Sequence, residues 1–134
     1  MIKLITGKRG TGKTKVLIDA IHAAEKNTNG NVVAIQKGNS LNTDITYKVR
    51  LVNIEDYNVE GYDAFYGFIA GILASDHDCT DIFVDATLRI TGRDYEKVGE
   101  MFEKLDKISA NTTICCTISA DNSELSDNLK KFIG

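Results

Sequence analysis

Eight residues near the start of the chain, Gly7-Lys8-Arg9-Gly10-Thr11-Gly12-Lys13-Thr14, restrict its fold more than any other segment. Before them, Ile2-Lys3-Leu4-Ile5-Thr6 is a short β-rich run. After them, Val16, Leu17, Ala20, Ile21 and Ala24 recur at helical spacing. A strand must therefore pass into a helix through a glycine-rich turn. Glycine reaches positive φ without a Cβ penalty and lets another group come close to the backbone. The first N–H groups of the helix have no intrahelical partners, and they sit at the positive end of its dipole.

The rest of the chain continues the alternation. Asn27 to Asn31, with Gly30, ends the first helix. Val32 to Ile35 is expected as a second, buried strand and Lys37 to Asp44 as a polar loop. Thr46 to Ile54 contains a third strand, in which Val49, Leu51 and Asn53 alternate with Arg50, Val52 and Ile54. Asp63 is expected to cap a helix running to about Ser75, with Phe65, Ile69, Ile72 and Leu73 on one face. Gly67 and Gly71 within it predict a close approach to a neighbouring element. Asp81 to Ala86 reads as a strand around Ile82-Phe83-Val84. Arg93 to Ile108 reads as a helix with the stripe Tyr95, Val98, Met101, Phe102, Leu105 and Ile108. Thr112 to Ile118 is an apolar strand, and Ser123 is expected to cap a short helix carrying Leu125, Leu129 and Phe132.

Strands that alternate with helices and are apolar on both faces predict an α/β fold. The expectation is a single domain over residues 1–134. Its central sheet has about five mostly parallel strands, with helices on both faces. The first strand is expected beside the last, Thr112–Ile118, rather than beside Asp81–Ala86.

The chemistry of the opening octapeptide is specific. It matches G-x-x-x-x-G-K-[ST] without a mismatch. By residue frequency alone such a match arises in roughly one chain in two hundred of this length. The strand before it and the helix after it sharpen the signal further. A triphosphate needs several converging backbone donors, and a glycine-rich loop opening a helix supplies them. In that arrangement Gly7, Lys8, Arg9, Gly10, Thr11, Gly12, Lys13 and Thr14 hold the nucleotide phosphates. Lys13 reaches the terminal phosphates and the Thr14 hydroxyl ligates Mg2+. A dinucleotide fingerprint fits worse, because Lys15 stands where its third glycine belongs. Asp85 ends the run Ile82-Phe83-Val84, and ligands of open parallel sheets sit beyond the carboxyl ends of strands. Asp85 is thus the candidate second metal residue; Asp81 lies at the other end of that strand.

Gly7–Thr14 and Asp85 together resemble the P-loop NTPase superfamily, and the strand–helix pattern carries the likeness over the whole chain. The chain also resembles small, stand-alone bacterial ATP-binding P-loop proteins, some labelled after twitching-motility ATPases. At 134 residues it is not expected to be that machine. The resemblance implies ATP or ADP with Mg2+ as the ligand. It implies a switch or assembly subunit with slow or partner-dependent NTPase activity. The alternatives are a nucleotide-binding module without turnover, or a small-molecule kinase. Many such ATPases carry a glutamate directly after the aspartate at the strand end; here that residue is Ala86. Asp85-Ala86-Thr87-Leu88 breaks the D-x-x-G of GTPases, and N-K-x-D is missing. The zinc ribbon and glutamate of thymidine kinase are also lacking.

Arg89 and Arg93 follow Asp85 and are the candidate catalytic arginines beside Lys13, stabilising phosphate charge. Ser119 closes the last strand as a candidate polar sensor, with a turn role as the plainer reading. Asp121 and Glu124 are candidate water-orienting carboxylates. Tyr57, Tyr62, Phe65 and Tyr66 read as core or half-core aromatics rather than a base-stacking platform. His22 lies mid-helix, and His77 lies within Ser75-Asp76-His77-Asp78-Cys79, a run that reads as a solvated turn.

Composition narrows the partners. A net charge of −3 and a pI near 5.3 advertise no basic face for nucleic acid, which is not an expected partner; Lys104, Lys107 and Lys130–Lys131 read as a solvated face rather than as a local basic patch. The expected partners are the nucleotide and a protein, either another chain or further copies of this one. The longest apolar stretch, Ala64 to Ala74, is about half of what a bilayer needs, so no membrane insertion is expected. Three cysteines, Cys79, Cys115 and Cys116, have no framework spacing. With no signal peptide expected before the first strand, reduced thiols and a cytoplasmic location follow. Cys115 and Cys116 are neighbours on a strand and are not expected to pair.

Overall fold

Apolar side chains on both faces of each strand require cover on both sides of the sheet, and the computed structural model supplies it. It describes residues 1–41, 45–46 and 48–134. The fold is α/β, with five parallel strands flanked by helices. The strands are β1 (Ile2–Gly7), β2 (Asn31–Gln36), β3 (Val49–Asn53), β4 (Cys79–Val84) and β5 (Thr113–Ser119). The helices are α1 (Lys13–Asn27), α2 (Tyr62–Ser75), α3 (Thr87–Thr91), α4 (Tyr95–Ile108) and α5 (Asp127–Lys130). Two 3-10 turns, Ile54–Tyr57 and Asn122–Glu124, complete the described elements. Part of the expected loop 37–44 and of the expected strand segment 46–54 lies outside the described residues.

The sheet order is β1-β5-β4-β2-β3, so β1 does lie beside the last strand and is separated from β4 by it. On its other side, the Leu4 N–H donates to the Phe132 carbonyl at 2.9 Å, and Ile133 bridges Leu4 in parallel. One face carries Leu17 and Ile21 of α1 against Val32, Ala34, Val49, Phe83 and Cys115. The opposite face takes Phe65 and Ile69 of α2, Leu88 and Ile90 of α3, Phe102 and Leu105 of α4, and Leu129 of α5. Fully burying one such side chain contributes about 1.5–3 kcal/mol, so these two clusters set the layer order. Cys115 and Cys116 fall on opposite faces, and all three cysteines are free thiols. Burial pushes the Cys115 thiol up to about 11.

The side chain alternation in β3 holds: Val49 and Leu51 face α1, whereas Val52 and Ile54 face the other core. Several local expectations are corrected. Helix α2 begins at Tyr62 after Gly61, and Asp63 lies in its first turn instead of capping it. Gly61 has φ +91, a conformation that favours glycine, and the Asp63 charge still meets the positive helix end. Gly67 and Gly71 face solvent; a Cβ on either would meet nothing within 4 Å. The close approach is made by Gly99 of α4, where a Cβ would lie 2.2 Å from Asn128 Cγ. Ser123 caps no helix. Asp121 caps the turn Asn122–Glu124 in a capping box with Glu124, and Ser126 precedes α5. Helix α4 starts at Tyr95 rather than Arg93, because the Asp94 carboxylate accepts from the Lys97 N–H at 3.3 Å. Helix α3, which the periodicity did not suggest, occupies part of the connection before it.

Candidate functional site

The carboxyl ends of β1, β5 and β4 stand side by side, and the loop from Gly7 to Gly12 closes over them into α1. Glycine is needed at defined points of this loop. Gly10 and Gly12 have φ of +83 and +87. A Cβ on Gly7 would sit 2.6 Å from Thr11 Oγ1, the hydroxyl that pins the loop by donating to the Lys8 carbonyl at 2.6 Å. The start of α1 has no side-chain cap and no acidic residue in its first turn. Its leading N–H groups and positive dipole end are therefore open to an anion.

Lys13 opens α1 and is only 8% exposed. Its Nζ donates to the Lys8 carbonyl at 2.8 Å, so the side chain folds back over the loop. Burial holds its pKa below the usual lysine value, and the negative charge of Asp85 opposes that shift. Desolvation of this kind strengthens the attraction to an incoming phosphate.

Asp85 stands one residue past the end of β4 and is 4% exposed. The register pairs Val84 with Cys116, so the next residues on the two chains are Asp85 and Thr117. Thr117 Oγ1 donates to Asp85 Oδ1 at 2.8 Å. From α1, Thr14 Oγ1 lies 3.2 Å from each carboxylate oxygen. From the segment after β2, Ser40 Oγ donates to Oδ2 at 2.8 Å. A buried carboxylate thus has hydroxyl donors from three different elements. Ala86, directly after it, takes the left-handed conformation with φ +53.

These residues surround a cleft of about 180 Å³ lined by the loop, Lys13, Thr14, Asp85, Ala86, Thr117 and Ser119. The donor set suits Mg2+: a hydroxyl and a carboxylate oxygen are hard ligands, and this ion is commonly held by few carboxylates together with phosphate oxygens. Among the described residues no group of three or more His, Cys, Asp and Glu side chains forms a separate metal cluster.

The other candidates divide by position. Arg9, Gly10 and Gly12 line the cleft, whereas the exposed Lys8 contributes its carbonyl to the loop. Arg93 is exposed and donates to the Ser119 carbonyl at 3.1 Å, which sets it at the rim. Arg89, exposed on α3, is not part of the lining; its carbonyl accepts from Lys37 Nζ at 2.9 Å. Asp121 and Glu124 are engaged in their capping box. The Ser123 hydroxyl, before other donors, holds the Asp121 carboxyl below the usual carboxylate range. None of the four aromatics lines the cleft. Phe65 is core, Tyr57 packs on Phe68, and Tyr62 and Tyr66 lie under Lys97 and Lys104. His77 is exposed in a turn in which Asp76 accepts from the Asp78 N–H and from Asn31 Nδ2.

Two site residues escaped the sequence reading. Thr117 carried one signal, a polar side chain near the end of the apolar run Ile114-Cys115-Cys116. Ser40 carried none, since nothing local links a loop serine to a distant carboxylate. No protein-family model matches the chain, and no curated protein matches it significantly.

Proposed function

We propose that the cleft binds a nucleoside triphosphate, ATP with Mg2+, in the manner of the P-loop NTPases, and that the chain acts as a switch or assembly subunit. One observation carries the reading. Thr14, the last residue of the glycine-rich motif, meets both oxygens of a buried aspartate 71 residues away, at the open start of α1. Glycine-rich turns without a nucleotide role have no need of such a carboxylate. The backbone N–H groups of the loop and Lys13 would bind the phosphates. Thr14 and Asp85 would hold the cation. Magnesium, when bound, would neutralise part of the phosphate charge.

Turnover is expected to be slow or partner-dependent. Among the described residues Asp85 is the one carboxylate lining the cleft, and Ala86 cannot orient a water. This favours, as the second reading, a nucleotide-binding module without turnover. A kinase is less favoured, because no long basic lid adjoins the cleft among the described residues. ADP titrations of wild type and Asp85→Asn, with and without Mg2+, test the metal assignment. The variant is expected to lose much of the magnesium-dependent affinity and to keep the metal-independent part. An unchanged magnesium dependence would remove Asp85 from the site.

A further inference from the structure

We propose that Ser40 is a positioning residue for the cation site: it tethers the segment 37–41 to Asp85 in the cation-free state and releases it when a divalent cation binds. The inference rests on the magnesium–nucleotide reading above. A carboxylate offers about four lone-pair sites. Three hydroxyl protons approach those of Asp85, from Thr14, Thr117 and Ser40. The donors are not equally anchored. Thr14 is fixed by α1. Thr117 is fixed by β5 and by the Ala86 N–H, which donates to its oxygen at 2.7 Å. Ser40 is exposed and lies outside any helix or strand.

The neighbours of Ser40 in the segment are tied elsewhere. Lys37 Nζ reaches the Arg89 carbonyl, the Gly38 N–H reaches Asn53 Oδ1 at 3.4 Å, and the Leu41 N–H reaches Gln36 Oε1 at 2.8 Å. None of these acceptors lines the cleft. Among the described residues the Ser40–Asp85 bond is therefore the link through which the segment registers the state of the carboxylate. Hydrogen bonds to an ionised carboxylate are roughly twice as strong as neutral ones. A cation at Asp85 draws off that charge and weakens all three bonds. The donor held only by a loop gives way first. Coupling is reciprocal, so a chain lacking the tether binds the cation more tightly, by about fivefold to tenfold.

Amide hydrogen exchange at Gly38 and Leu41 reads the segment directly, with ADP present and Mg2+ added or withheld. In wild type, Mg2+ is expected to speed exchange at both amides several-fold. Ser40→Ala is expected to exchange fast in both conditions and to bind Mg2+ more tightly with ADP, while Ser40→Thr behaves as wild type. Magnesium-dependent ADP binding without faster exchange, or a Ser40→Ala variant with unchanged or weaker Mg2+ affinity, would overturn the tether and leave the nucleotide reading standing. Absence of magnesium-dependent binding in wild type would overturn both.

Discussion

The Thr117 hydroxyl accepts the Ala86 N–H at 2.7 Å and donates to Asp85 Oδ1 at 2.8 Å, so a single side chain orients both the carboxylate and the residue after it. The Ala86 N–H takes one of the two lone pairs of the hydroxyl, and its single proton points at the accepting Asp85 oxygen. Thr117→Val keeps the shape and removes both bonds. A buried group left without its partner costs about 1–3 kcal/mol. Urea denaturation is expected to show a loss in that range, with Thr117→Ser recovering most of it. A Thr117→Val variant as stable as wild type would mean that this hydroxyl holds nothing in place.

Glycines on the helices predict opposite effects. Gly67 faces open solvent on α2, and Gly67→Ala should stabilise the fold by about 0.5–1 kcal/mol through helix propensity. Gly99 lies under Asn128, whose amide donates to the Glu96 carbonyl at 3.0 Å. Gly99→Ala must displace that side chain, and overpacking of this kind costs about 1–3 kcal/mol. Thermal unfolding of the two variants checks the pair. Equal shifts would show that α4 and α5 do not pack as closely as described.

Hydrolysis by the isolated chain is expected to stay well below about one turnover per minute, since positioning of the water is part of phosphoryl-transfer catalysis. Arg93 stands at the rim, where it donates to the Ser119 carbonyl, and a guanidinium can stabilise phosphate charge but cannot act as the base for a water. An arginine donated by a partner or a second copy contributes several kcal/mol in related chemistry. Activity should then rise steeply with protein concentration or on adding the partner. A dilute sample turning over tens of ATP per minute would show that the chain holds a complete active site.

The loop and Asp85 were legible because each obeys a local rule, glycine between strand and helix, and an acid at a strand's carboxyl end. The sheet and its two cores were legible from strands that are apolar on both faces. Helix α3 was not, since its five residues are too few to display a period. The helix starts went astray for a related reason. Gly61, Asp94 and Asp121 compete with Asp63, Arg93 and Ser123 within one or two positions, and backbone geometry decides among them. Thr117 looked like an ordinary β-former, and Ser40 reaches Asp85 across 45 residues, a contact that only the folded sheet creates.

Calorimetric titration of MgATP into wild type and Lys13→Ala decides whether the cleft binds a nucleoside triphosphate through Lys13. Lys13 is the buried cation of the loop, and removing it deletes a charge-assisted contact to phosphate. Wild type is expected to bind measurably and the variant with an affinity roughly a hundredfold weaker, a difference of about 2.7 kcal/mol. Equal affinities, or no binding by wild type, would contradict it.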